Sequence, residues 1–195
     1  MKELEVVPYL AGGRELCVTG SCLLTAADTA LGKAIRFFQG GEAFCSHAAP
    51  VVRFPETLVD RERVTLIEAL EHGITPTYLS RYFGKDFSGR LFLFTPAGLT
   101  PEIQRRFSAW VLDKMFSGTA YDYRALARQV AGRVAQDDAD LFCSEEWGMG
   151  IEYAGLPRLP EAPAGLAPQP SDIPNWWLGR LVELVGPFGA QEAAA

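Results

Sequence analysis

The chain is poor in histidine, with two in 195 residues, and its four cysteines, Cys17, Cys22, Cys45 and Cys143, form no C-x-x-C pair. Neither His47 nor His72 stands at zinc-finger spacing from a cysteine. A zinc ribbon, a zinc finger and a disulfide scaffold are therefore poor fits, and free thiols of a reducing compartment fit better. Basic runs are missing too. Net charge is −6, with both signs mixed along the chain, so no stripe tracks a phosphate backbone and nucleic acid is not an expected partner. No apolar run approaches the ~20 residues of a membrane span. The opening MKELEVVPYLAGG has neither the basic start nor the long apolar stretch of a secretory signal, so the expected compartment is the cytoplasm.

What the chain does have is apolar bulk: 48% hydrophobic residues, enough for a full core at single-domain length. ELCVTGSCLLT reads as one or two strands broken at Gly20, and AADTALGKAIRFFQGG as a helix starting near Asp28. EAFCSHAAPVVRF and VTLIEAL read as buried strands and RLFLF as a third, close enough together for an antiparallel, barrel-like meander. Thr100, Pro101 and Gly118 bracket a helix whose Ile103, Phe107, Trp110 and Val111 share a face. YDYRALARQVAG reads as a shorter helix capped by Asp122, and DADLFCSEEWGMGIEYAG as another capped by Asp140. Residues 157–195 read as a Pro/Ala-rich segment wrapping a single domain over 1–195, with NWWLGRLVELVG a last short helix and AQEAAA fraying. Strands first and helices later predict an α+β fold, an antiparallel sheet packed against helices.

Cys143 falls in the first turn of its helix, where unpaired N–H groups and the helix dipole favour an anion and lower a thiol pKa. Cys143, Trp147, Ile151 and Ala154 share a stripe, with Glu145 and Glu152 on the far side. Asp140, Glu145 and Glu146 oppose a thiolate, and a buried free cysteine is equally a small hydrophobe. A nucleophilic thiol needs a base, and the choice lies between His47 among small and apolar neighbours and His72 in the turn EHG. His47 also reads as a core histidine bonded to backbone. Glu68 alternates with Val64, Leu66 and Leu70; a carboxylate there is either paired, with His47 as partner, or on an edge strand in water. Glu71 sits on the opposite face.

Taken in order, SHAAPVV, IEALEHGITPTYLSRYF, YDYRALA and LFCSEEWGMGIEYAGL resemble the circularly permuted, papain-like branch of the NlpC-type cysteine hydrolases, over about residues 24–156. The resemblance implies Cys143 as nucleophile, His47 as base and Glu68 as orienting group, with no metal or organic cofactor. The chain lacks the Gly-Asp pair common near the family's first strand, and has Glu146 and Trp147 where aliphatic residues are common. Cys45, two residues before His47, either packs, lines the site or pairs with Cys143 on oxidation. Tyr121 and Tyr123 either anchor a helix start or donate to an oxyanion. Ser144 is a candidate at the same place. The chemistry implied is acyl transfer through a thioester, on an amide of a small, cell-wall-type peptide. Relatives like lecithin retinol acyltransferase make an acyl lipid the alternative. A lapsed peptide- or lipid-binding module and a Cys143–Cys45 redox sensor are the non-hydrolase readings.

Overall fold

The structure, a computed structural model, describes residues 4–39, 43–54, 63–70, 73–121 and 140–186. In chain order it contains β1 (Glu5–Pro8), α1 (Arg14–Leu16), β2 (Cys22–Ala27), α2 (Ala30–Phe38), β3 (His47–Val52), β4 (Thr65–Leu70), β5 (Gly73–Tyr78), β6 (Gly89–Pro96), α3 (Pro101–Phe116), β7 (Ala120–Tyr121), β8 (Asp140–Leu141), α4 (Cys143–Ala154), α5 (Ile173–Trp176) and β9 (Gly179–Val185). The expected YDYRALARQVAG helix, with Asp122, and the AQEAAA end lie outside the described residues.

The architecture is α+β. Seven strands form one sheet in the order β1-β9-β6-β2-β3-β4-β5, antiparallel except for the parallel β1–β9 pair. The sheet is open, not the barrel-like meander expected, because β9 inserts between β1 and β6. The segment expected as a last helix supplies that strand. Only Ile173–Trp176 is helical; Val182 and Leu184 then alternate inward with Leu181, Glu183 and Val185, the period of a strand. Strand β5 also escaped the sequence reading, because Pro76 demotes GITPTY. Proline is tolerated in it because β5 is a sheet edge.

One face of the sheet, with Leu24, Ala48, Ile67 and Phe94, packs against α3 and α4 through Phe107, Val111, Trp147 and Ile151. The other, with Leu23, Val51, Leu66 and Leu93, is covered by Tyr9, Cys17 and Leu79. Helix α3 starts as its sequence requires, Thr100 accepting from the Ile103 N–H at 3.3 Å with Pro101 next. Helix α4 does not. Its N-cap is Phe142, extended and without a side-chain cap, since Asp140 is taken into β8, opposite Ala120 of β7. Among the described residues no helix is long and apolar enough to cross a membrane.

One irregularity positions everything that follows. β3 and β4 pair only through Val51–Leu66 and Val52–Thr65. Beyond these pairs, towards His47 and Glu68, β3 stays paired with β2 and β4 with β5, but no ladder joins β3 to β4.

Candidate active site

The tip of α4 sits against that split. Cys143, the first helical residue, is 5% exposed. Its sulfur faces the His47 ring and the backbone N–H groups of Ala48 and of its own neighbour Ser144, all three of which favour a thiolate. Burial pushes the thiol up, but the His47 charge, the His47 hydrogen bond and the two backbone donors together outweigh it, and the pKa falls below the usual thiol value.

His47 opens β3. Its Nε2 lies 3.0 Å from Glu68 Oε1, which leaves Nδ1 for the sulfur. Burial opposes a charged ring; the Cys143 thiolate and then Glu68 overcome that, and the imidazole pKa is pushed up to about 10. Both shifts run towards the ion pair, a thiolate beside an imidazolium. His47 is 21% exposed, against 1% for Glu68, so approach to the site runs past the ring.

Glu68 stands buried with Val64 and Leu66, as the alternation predicts. Three donors converge on it. His47 and the Tyr82 hydroxyl reach Oε1, and the Thr77 hydroxyl reaches Oε2. Burial raises its pKa, yet His47, Thr77 and Tyr82 bring it below the ordinary carboxylate value. The same carboxylate, after burial, holds the Tyr82 phenol protonated.

The helix tip also takes over the work of the missing ladder. On the β3 side, the Ala48 N–H faces the Cys143 sulfur; on the β4 side, Ala69 gives its N–H to Glu146 Oε2 at 3.1 Å. Glu146 is fully buried, its Oε1 has no partner among the described residues, and burial followed by the Cys143 charge pushes its pKa well above the carboxylate range.

The remaining candidates are placed as follows. Ser144 turns its hydroxyl away, to the Pro168 carbonyl at 2.6 Å, and meets the site only through its backbone. Cys45 packs against the C-terminal segment, with Sγ 3.4 Å from Ser171 Oγ; burial pushes its thiol up to about 12, and all four cysteines are free. Tyr121 belongs to β7, whose partner strand β8 leads into Cys143, but its side chain is outside the described residues, as are Tyr123, Glu71 and His72. Glu145, expected on the far side of α4, is buried. The sequence reading missed Thr77, Tyr82 and the placement of Glu146. Thr77 had a signal: it shares the face of β5 that lies beside Glu68 on β4, where a buried carboxylate needs donors.

Fold and geometry together define an α+β protein in which a helix-tip thiol faces a strand imidazole that is hydrogen-bonded to a buried carboxylate. No protein-family model matches the chain, and no curated protein matches it in sequence. Among solved structures it is similar to one described as the metalloprotein yiiX of Escherichia coli O157:H7, DUF1105, with 16% identity, 89% of this chain and 91% of that chain covered, and a TM-score of 0.53. At that identity the likeness speaks for the fold alone.

Proposed function

We propose that the protein is a thiol-dependent hydrolase of the permuted, papain-like NlpC type, cleaving an amide in a small peptide through an acyl-enzyme. The observation that carries this reading is the series Cys143–His47–Glu68: the sulfur facing the ring, and the ring's Nε2 3.0 Å from a buried carboxylate. The Cys143 thiolate attacks the carbonyl carbon. The oxyanion is met by N–H groups at the α4 tip, where Cys143 itself holds the first helical position. The His47 imidazolium protonates the departing amine as the C–N bond breaks, leaving a thioester. Neutral His47 then takes a proton from water, whose oxygen displaces the sulfur, and the acid product leaves. Glu68 fixes the tautomer and orientation of the ring.

The structural neighbour is described as a metalloprotein. Among the described residues no group of three or more His, Cys, Asp and Glu side chains is arranged to hold one, and His47 and Glu68 are engaged with each other. The proposed chemistry runs through the thiolate. Its site of action is the cytoplasm.

Alkylation of wild type by iodoacetamide is expected to modify Cys143 first, with the rate rising below the ordinary thiol range and staying level until His47 loses its proton near pH 10. In His47→Ala the rise moves to alkaline pH. A screen of small peptides and acyl esters, with the thioester trapped by mass spectrometry, is expected to yield an adduct on wild type and none on Cys143→Ala. His47→Ala is expected to lose roughly a hundredfold to ten-thousandfold in rate. Turnover that survives Cys143→Ala defeats the proposal.

A further inference from the structure

Glu146 is a fully buried carboxyl at a position for which the triad gives no reason. It lies one turn after Cys143 on the same side of α4. The groups it senses come from every element at the split: Cys143 on its own helix, Cys22 on β2, His47 on β3 and Glu68 on β4. Its one hydrogen bond among the described residues is to the Ala69 N–H. That N–H belongs to the peptide joining Glu68 to Ala69. Its counterpart, the Ala48 N–H that reaches Cys143, belongs to the peptide joining His47 to Ala48. The helix tip thus grips the backbone immediately after the base and immediately after the orienting carboxylate.

These contacts close a ring. It runs from Cys143 along α4 to Glu146, across to the Glu68–Ala69 peptide, through the Glu68 carboxylate to His47, and back to the sulfur. Without Glu146 the ring has one fixed side. The β3–β4 ladder stops at Val51 and Val52, so it does not lock the Glu68 end of β4 against the His47 end of β3. An aliphatic side chain at this position leaves the Ala69 N–H buried with no acceptor.

We infer that Glu146 is a positioning residue: its carboxyl ties the Glu68–Ala69 peptide to the Cys143 helix and so sets Glu68 where it meets His47. The inference rests on the triad reading above. The bond needs an acceptor and no charge, which agrees with a carboxyl kept protonated by burial. Glutamine supplies the same acceptor on a side chain of the same length; methionine supplies the length without the acceptor.

The test is the pH profile of Cys143 alkylation by iodoacetamide in wild type, Glu146→Gln and Glu146→Met, with amide hydrogen exchange at Ala69 followed alongside. Glu146→Gln is expected to keep the wild-type profile, with rates within about twofold. In Glu146→Met the orienting carboxylate slips, the imidazolium is less well held, and the thiol titrates higher; each unit of that rise lowers the rate at mildly acid pH about tenfold. The Ala69 amide exchanges faster. A contribution to stability alone lowers the melting temperature of Glu146→Met and leaves its profile in place, and that result overturns the inference. So does a folded Glu146→Gln that behaves like Glu146→Met. Should Glu146→Met not fold, Glu146→Asp, a methylene short of Ala69, is read in its place against the same two outcomes. If wild type itself shows an ordinary thiol profile that His47→Ala leaves unchanged, the triad reading fails and takes the inference with it. If wild type shows the depressed, His47-dependent profile and Glu146→Met shares it, only the inference fails.

Discussion

Two buried carboxyls, Glu68 and Glu146, face similar burial with opposite results. Glu68 has three donors and its pKa is drawn down; Glu146 has one backbone donor and its pKa is pushed up. The difference is measurable as linkage. Because the folded pKa of Glu146 lies well above the unfolded value, the native state keeps a proton that the unfolded chain releases once pH passes the ordinary carboxylate range. Its stabilising contribution is complete below that range and is lost as pH rises towards the folded value, at about 1.4 kcal/mol per pH unit. Glu146→Gln has no such proton to keep. Its melting temperature is expected to overtake that of wild type increasingly from acid to neutral pH, and a difference that stays flat with pH refutes the protonated assignment. Of these side chains, Glu68 was legible in the sequence because a carboxylate inside an apolar alternation demands a partner. Tyr82 was not, since its bond to Glu68 depends on how the turn after β5 folds back, which no local pattern encodes. Glu146 was hidden by the ordinary expectation that an acidic residue in a helix's first turn faces water.

That expectation fails because the first part of α4, Cys143–Gly148, is buried at every residue. Gly150 passes so close to α3 that a Cβ added there meets the Trp110 ring at 2.9 Å and the Phe107 ring at 3.1 Å. On another side, Gly148 leaves 3.1 Å to Pro168 and 3.3 Å to Trp177. Trp147 donates its indole N–H to the Gly20 carbonyl at 3.0 Å, tying the helix to the entry of β2. Alanine in place of glycine inside a helix is favoured by about 1 kcal/mol. Overpacking a core costs about 1–3 kcal/mol. The clash wins, so Gly150→Ala is expected to lower stability by up to about 2 kcal/mol in chemical denaturation. A stabilised Gly150→Ala would mean that α3 and α4 separate freely, and that the Cys143 helix is not tightly seated against α3. Elements with local signals were legible: the Thr100-Pro101 start of α3, the β3 and β4 strands, and the end of α4 at Gly155, whose φ of 112° suits glycine. The Asp140 cap was not, because an acidic residue ahead of a helix looks the same whether it caps or pairs in a strand.

The C-terminal fifth is where long-range pairing decides the molecule. Up to Trp177 it wraps the core, as its Pro/Ala composition suggests. Ser144 donates to Pro168, Ser171 Oγ accepts the N–H groups of Phe44 and Cys45, and Arg158 lies over the rings of Trp176 and Trp177 at 5.2 and 5.4 Å. From Gly179 the segment becomes an interior strand. β9 receives β6 on one side and β1, from the other end of the chain, on the other, with Val182 and Leu184 in the second core and Trp177 in the first. Pairing between residues 5–8 and 182–185 has no local signature, so the segment reads as a helix from its own residues. The consequence expected is that residues 1–156 do not fold as a unit by themselves, although every residue of the proposed triad lies within them. Burying a large apolar side chain contributes about 1.5–3 kcal/mol, and a domain's net stability is about 5–15 kcal/mol. Losing Trp177, Val182 and Leu184 together removes a large share of that margin, and also exposes the flank of β6 and leaves β1 without its partner. A chain of residues 1–156 is therefore expected to show no cooperative melt by circular dichroism and no fast alkylation of Cys143. A chain of residues 1–186, which keeps β9, is expected to retain both. A 1–156 chain that folds and keeps the His47-dependent thiol profile would show that the site is built without the strand, and that β9 is dispensable to the sheet that carries His47 and Glu68.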